Sequence, residues 1–331
     1  MERGLKWLLV GAGDIARKRV APALRDSASS RIAAVCDVNG ERASAIAREY
    51  GVERVYNEYR KALEDNRVNA VYLATPVALH VPMTVQAIQS GKHVLVEKPL
   101  GLSYENTRPA LDAEAAAAVS AGCAYFRRFY PAYRMVRDMI ERGEFGRIVH
   151  IRLAYFSRFD PGPDDPKRWR VVRAASGGGP LSDMGTHMFD VLIGLFGLPE
   201  RVSAMTVTRD RDWDVEDGAG IVMRMPDGAL ATAAFHWNSK TWSHSFEVIG
   251  AEARVLWQPY DSGKVYRTAG SETVELDLPP ARNVHLPLVE DFVSAASTCR
   301  APAVSLAEAA KTNRLLDAVY RSSREQREIV V

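Results

Sequence analysis

Along the first 126 residues, short apolar runs alternate with stretches whose apolar positions recur at helical spacing. Residues 6–10 (KWLLV), 31–36, 70–74 (AVYLA) and 93–96 have the length and branched content of buried parallel strands. Residues 41–50, stopped by Gly51, 59–64, and 81–90, closed by Gly91, have the period and stop signals of helices. This β-α alternation predicts a doubly wound parallel sheet with right-handed crossovers. One stretch conflicts with itself: residues 103–121 are alanine-rich and helical in pattern but contain Pro109. A proline inside a helix costs about 3 kcal/mol. Asn106 or Thr107 is therefore the expected N-cap, which leaves Pro109 in the first turn.

After residue 126 the alternation stops. An amphipathic helix over 131–142, ended by Gly143, is followed by strand signals at 148–155, 202–207, 220–225, 229–235, 246–249 and 255–258. The turn Pro226-Asp227-Gly228 marks a hairpin. Helical patterns over 287–299 and 305–322 close the chain. The predicted architecture is α/β plus α+β: a Rossmann-type domain over 1–126, then a substrate-binding and oligomerisation domain over 127–331 built on a mainly antiparallel open sheet. Ile221, Met223 and Met225 on one strand, with Phe235 and Trp237 on its neighbour, give faces apolar enough to prefer cover. That cover is either a homo-oligomer, dimer or tetramer, formed through the sheet, or the domain's own core.

Length and charge narrow the function classes. The 331 residues exceed a usual single core, and Lys+Arg 43 against Asp+Glu 41 leaves a net charge of +2 with no polyanion-binding surface. No nucleic-acid partner is expected, and Arg17-Lys18-Arg19 reads as a solvated helix face. Cys36, Cys123 and Cys299 are odd in number and far apart, which argues against disulfides and thiolate metal sites and for a reducing compartment. The chain enters its first strand without a leader-like segment, and no apolar stretch reaches the roughly 18 residues that span a bilayer. A cytoplasmic enzyme or regulator is the expectation.

The first strand runs into Gly11-Ala12-Gly13-Asp14-Ile15-Ala16, a GxGxxA fingerprint. Gly11 permits the tight turn, Gly13 lets the backbone approach a pyrophosphate, and Ala16 allows close helix packing; the helix start then offers N–H groups to phosphate. Asp37 ends the second strand, where a carboxylate accepts from ribose hydroxyls and repels a 2′-phosphate, so NAD is favoured, with NADP possible through Arg42. Asp37 also suits a helix N-cap. Ligands sit at the carboxyl edge of such a sheet, so Thr75, Pro76, His80, Glu97 and Lys98 are expected around the cofactor. The stretch 91–99 (GKHVLVEKP) is central: Glu97 and Lys98 emerge at a strand tip, where a partly desolvated amine suits proton transfer. A surface Lys-Glu pair is the plain alternative.

The segment 177–190 (GGGPLSDMGTHMFD) combines a glycine loop with a helix expected from about Leu181 to Phe196. Asp183, His187 and Asp190 share one stripe at helical spacing, and a polar stripe on an apolar helix needs partners. Three readings compete: a core histidine held by Asp183, a metal site for which no further His or Cys cluster is present, and an acid/base pair.

Glu97-Lys98-Pro99 behind a Rossmann-like half, followed by GGG-x(3)-D-x-G-x-H-x(2)-D, resembles the glucose-fructose oxidoreductase, inositol dehydrogenase and rhizopine catabolism (Gfo/Idh/MocA) family. Ala74-Thr75-Pro76 with His80, the segment 125–131 (YFRRFYP) and Gly143-Glu144-Phe145-Gly146 support the resemblance, which covers essentially the whole chain. It implies an NAD(P)-dependent enzyme acting on a sugar, polyol or cyclitol. The family's lysine maps onto Lys98 and its Asp/His pair onto Asp183 and His187. His187 or Lys98 would take the substrate proton while Asp183 orients His187. Arg127 is expected at the cofactor and sugar, and Trp169 and Arg170 at the sugar. Two other classes remain: NAD-using glycoside hydrolysis by transient oxidation, and non-catalytic sensing, against which the intact Lys98, Asp183 and His187 argue.

Overall fold

The computed structural model describes residues 4–209 and 212–331. Strands β1 (Leu5–Val10), β2 (Ser30–Cys36), β3 (Val55–Tyr56), β4 (Ala70–Leu73), β5 (His93–Val96) and β6 (Ala121–Cys123) pair in parallel in the order β3-β2-β1-β4-β5-β6. This is the doubly wound order with its switch point between β1 and β4. The crossovers carry α1 (Ala21–Asp26), α2 (Gly40–Tyr50), α3 (Tyr59–Leu63), α4 (His80–Gln89) and α5 (Tyr104–Ala115). β4 is buried at all four positions, as a strand covered on both faces must be.

Helix α5 corrects one expectation. Ser103 is its N-cap, accepting from the Asn106 amide at 3.1 Å, and Pro109 lies inside the helix rather than in its first turn. Asn106 reaches back to accept from the Leu102 amide at 3.1 Å, a reciprocal arrangement close to a capping box. Two satisfied donors at the start outweigh one bond missing further along. The cap of α2 is likewise Asn39, which accepts from both Glu41 and Arg42, and not Asp37.

The second sheet joins β7 (Ile148–Arg158), β8 (Arg201–Val207), β9 (Gly218–Arg224), β10 (Leu230–His236), β11 (Asn238–Gly250), β12 (Ala253–Trp257), β13 (Lys264–Ala269), β14 (Glu272–Asp277) and β15 (Ile329–Val330) in the order β14-β13-β12-β11-β7-β10-β9-β8-β15. Only the β7–β10 pair is parallel. The Asp227-Gly228 turn closes β9 onto β10 with Gly228 at φ +85°, which is why glycine stands there. Helices α6 (Pro131–Glu141), α7 (Arg173–Ser176) and α8 (Thr186–Phe196) belong to this part, and α9 (Leu286–Thr298) and α10 (Leu306–Glu325) follow.

Packing divides the chain into residues 1–126 with 281–310, and 127–280 with 311–331. A single cut at 127 does not describe this, because α9 returns to the first sheet, where Phe292 lies 5.6 Å from Trp7. The apolar set proposed for an oligomer interface is also reassigned. Ile221, Met223, Met225, Phe235 and Trp237 are all buried, and Phe189 of α8 meets Phe235 edge-on at 5.6 Å, so that face is core. Among the described residues no helix is long and apolar enough to cross a membrane.

Candidate active site

In the first unit the loops at the carboxyl ends of β1, β2, β4 and β5 are tied together. Gly11 has φ +88°, and a Cβ there would stand 2.5 Å from the Ala74 carbonyl oxygen, so only glycine lets these two strand ends close up. Nothing lies within 4 Å of the position a Gly13 Cβ would take. Ala16 is fully buried against the sheet. Asp37 accepts from the Ala12 amide at 2.6 Å and from the Asn39 amide at 2.7 Å, which fixes its carboxylate against the glycine loop. Asp14 and Ile15 are exposed at the start of the helix, Asp14 pairing with Lys18 at 2.8 Å.

His80 is a clamp. Its Nδ1 is 2.7 Å from the Pro99 carbonyl and its Nε2 2.8 Å from the Thr75 carbonyl, so the ring ties the loop after β4 to the loop after β5. Burial pushes its pKa down, while the two carbonyls each favour an N–H. The neutral ring carries one N–H and so donates to one of the two carbonyls at a time; with both nitrogens facing backbone, His80 shapes the edge and does not itself reach outward. Pro76 is exposed, and Thr75 Oγ1 has no hydrogen-bond partner among the described residues. Lys98 is part-buried at the tip of β5, whereas the Glu97 carboxylate turns inward to Tyr72 and His285. Open space over Gly13, an orphaned Thr75 hydroxyl and a strand-end carboxylate at Asp37 together fit a dinucleotide: backbone N–H groups for phosphates, Asp37 for ribose.

In the second unit the expected helix begins as a π turn over Leu181–Gly185 and continues as α8. Asp183 is part-buried, His187 is 4% exposed, and the Arg170 guanidinium stands 3.8 Å from Asp183 and over the Trp169 ring. Arg170 thus links Trp169 to Asp183. Tyr155 joins them: burial raises its hydroxyl pKa, and the Asp183 and Asp261 carboxylates raise it further. Asp190, on the same helix, is fully buried, and its two carboxylate oxygens each lie 3.0 Å from Arg128 Nε. Among the described residues no metal-binding cluster is present. Arg127 is 5% exposed, paired with Asp261 and lying 5.2 Å over Tyr260, so its guanidinium braces this unit.

The loop that starts the π turn depends on two residues that carry no motif. Glu216 Oε1 accepts from the Gly179 amide at 3.0 Å, the Leu181 amide at 3.2 Å and the Tyr320 hydroxyl at 3.0 Å. A Cβ on Gly178 would collide with the Tyr320 hydroxyl, and one on Gly179 with the Glu216 carbonyl. Burial raises the Glu216 pKa against these donors. The buried carboxylate is the acceptor that the first N–H groups of the turn need.

Comparison with known proteins identifies the family. Residues 5–125 match the oxidoreductase family, NAD-binding Rossmann fold, and residues 133–256 match the GFO/IDH/MocA C-terminal domain. The chain is 30% identical over 254 residues to 1,5-anhydro-D-fructose reductase of Ensifer adhaerens, covering 76% of this chain and 75% of that protein. It is 28% identical over 322 residues to D-xylose 1-dehydrogenase (NADP(+)) 2 of Haloferax volcanii, covering 95% and 96%. The aldose-aldose oxidoreductase of Caulobacter crescentus, solved with glycerol, superposes with a TM-score of 0.91 at 25% identity over 99% of this chain and 100% of that one. The chain therefore belongs to the Gfo/Idh/MocA family of oxidoreductases, its first unit being the family's NAD-binding Rossmann domain.

Proposed function

We propose that the protein is an NAD(P)-dependent dehydrogenase or reductase that moves a hydride between the nicotinamide and a sugar or polyol carbon bearing oxygen, with Lys98, Asp183 and His187 as its chemical groups. What supports this reading is that Lys98 directly follows the end of β5, at the carboxyl edge of the sheet to which Gly13, Asp37 and Thr75 also belong. Relatives named for 1,5-anhydro-D-fructose and D-xylose support a sugar as substrate. When bound, the nicotinamide supplies or accepts the hydride. The chain's part is to bind, orient and move the proton. An imidazole at His187 is the kind of group that exchanges a proton with a substrate hydroxyl. A carboxylate at Asp183 steadies its tautomer, and Lys98 stabilises charge on the substrate oxygen. Trp169 and Arg170 offer an aromatic face and fixed donors to a ring of hydroxyls.

Asp37 supports NAD over NADP, since a carboxylate beside the ribose repels a 2′-phosphate. Three free thiols, two of them buried, suit a reducing compartment such as the cytoplasm. A homo-oligomer is supported by the sheet face turned away from α8, where Met205 is 78%, Val222 47% and Leu230 47% exposed. The test is a panel of aldoses, polyols and 1,5-anhydro-D-fructose with each cofactor, read by absorbance of the reduced form. In Lys98→Ala and His187→Ala, turnover is expected to fall by roughly two to four orders of magnitude with cofactor affinity nearly unchanged. Near-wild-type rates in either variant would remove that residue from the chemistry, and glycoside cleavage without net redox would move the enzyme to the hydrolytic class.

A further inference from the structure

Glu97 is the acidic member of Glu97-Lys98-Pro99, yet its side chain is buried, 8% exposed, inside the first unit. The Tyr72 hydroxyl donates to Oε1 at 2.9 Å, His285 Nε2 stands 3.2 Å from the same oxygen, and the Lys98 amide faces Oε2 at 3.3 Å. These groups all act as donors, so both oxygens are acceptors, which is the pattern of an ionised carboxylate. Burial pushes the Glu97 pKa up; the hydrogen bond and charge of His285, the hydrogen bond from Tyr72 and the charge of Lys98 outweigh it, and the net direction is down.

His285 belongs to no motif. It lies 188 residues beyond Glu97, directly before α9, and its ring is 1% exposed and 4.8 Å from the Phe126 ring. Its backbone is fixed on both sides: its amide donates to Asn283 Oδ1 at 3.1 Å, and its carbonyl accepts from Val289 at 3.0 Å. Its other ring nitrogen, Nδ1, has no hydrogen-bond partner among the described residues. The bond that a buried imidazole at this place does make is the one to Glu97.

We propose that His285 is a positioning residue for Lys98: with Tyr72 it holds the Glu97 carboxylate ionised at the tip of β5, and that fixed negative charge keeps the adjoining amine in its ammonium form. The inference rests on the reading of Lys98 given above and deepens it. An amine held as ammonium donates a hydrogen bond to the substrate oxygen and does not accept the proton, which leaves acceptance to His187. The charged and titratable groups around Glu97 are Lys98, Tyr72 on β4, the Cys123 thiol on β6, His80 at the start of α4 and His285. Of these, His285 and Tyr72 touch the carboxylate oxygens through side chains.

The experiment is competitive labelling of the whole protein with trace acetic anhydride over a pH series, with acetylation at Lys98 read by mass spectrometry. In Glu97→Gln and His285→Ala the labelling midpoint of Lys98 is expected to fall by about one pH unit, and in His285→Gln, whose amide can replace Nε2–H, to return toward wild type. Tyr72→Phe shifts it in the same direction and serves if His285→Ala does not fold. An unchanged midpoint in Glu97→Gln overturns the proposal, and an unchanged midpoint in folded His285→Ala and Tyr72→Phe removes those residues from it. The turnover of Lys98→Ala is scored separately: full activity there would dismiss Lys98 from the chemistry while leaving the labelling result standing.

Discussion

Asp37 shows how one carboxylate serves two ends. Its oxygens accept from Ala12 and Asn39 at 2.6 and 2.7 Å, yet each retains a lone pair for a ribose hydroxyl. In Asp37→Ala the NAD preference is expected to relax toward NADP by roughly tenfold or more, as the ratio of kcat/KM values; an unaltered ratio would take Asp37 out of the ribose site. Residues of this kind were legible because their partners are local or because strand-end placement alone gives them a role. Lys98, Asp37 and the glycines of the fingerprint are such cases. Glu216 and His285 were not, since the atoms they serve, in Gly179 and Glu97, lie 37 and 188 residues away. The partner that Asp190 needs was not legible for the same reason: Arg128 is 62 residues back.

At the scale of elements, the apolar strands β1, β4 and β5 and the hairpin of β9 and β10 were readable from pattern. β13 and β14 were not, because β14 (ETVELD) is almost entirely exposed and offers no buried alternation. The interior Pro109 escaped because the Ser103 and Asn106 caps act beyond what propensity weighs. The element most open to test is the glycine loop ahead of α8. Glu216→Ala strands the Gly179 and Leu181 amides in a buried site and is expected to cost about 2–4 kcal/mol by denaturant melt. Glu216→Gln keeps the oxygen acceptor. Because folding raises the Glu216 pKa from its ordinary 4.5, the carboxyl's own contribution is full below that value and is lost as pH climbs through the folded one. Wild type should therefore gain on Glu216→Gln as pH falls toward 4.5, and a difference flat in pH would refute the raised value.

For the whole molecule, the two units differ in how much the chain disclosed. The doubly wound sheet was evident from residues 1–126, while the recruitment of 281–310 to it depends on Phe292 packing beside Trp7, a contact no local pattern encodes. The second sheet has one face under α8 and another carrying Met205, Val222 and Leu230. Charged substitutions there, Val222→Lys with Met205→Glu, are expected to lower the assembly state measured by light scattering while leaving the melting temperature within a few degrees. Unchanged mass would place the assembly, if any, elsewhere.

The return of residues 281–310 carries a further consequence for the order of events during synthesis. A ribosome finishes the six parallel strands early, but the indole of Trp7 and the carboxylate of Glu97 wait for helix α9 and His285, which emerge only after the whole second sheet except β15. The nucleotide half thus reaches its mature form long after its strands are made, so an arrested chain ending short of α9 would leave the ribosome with its lysine present and the support beneath it missing.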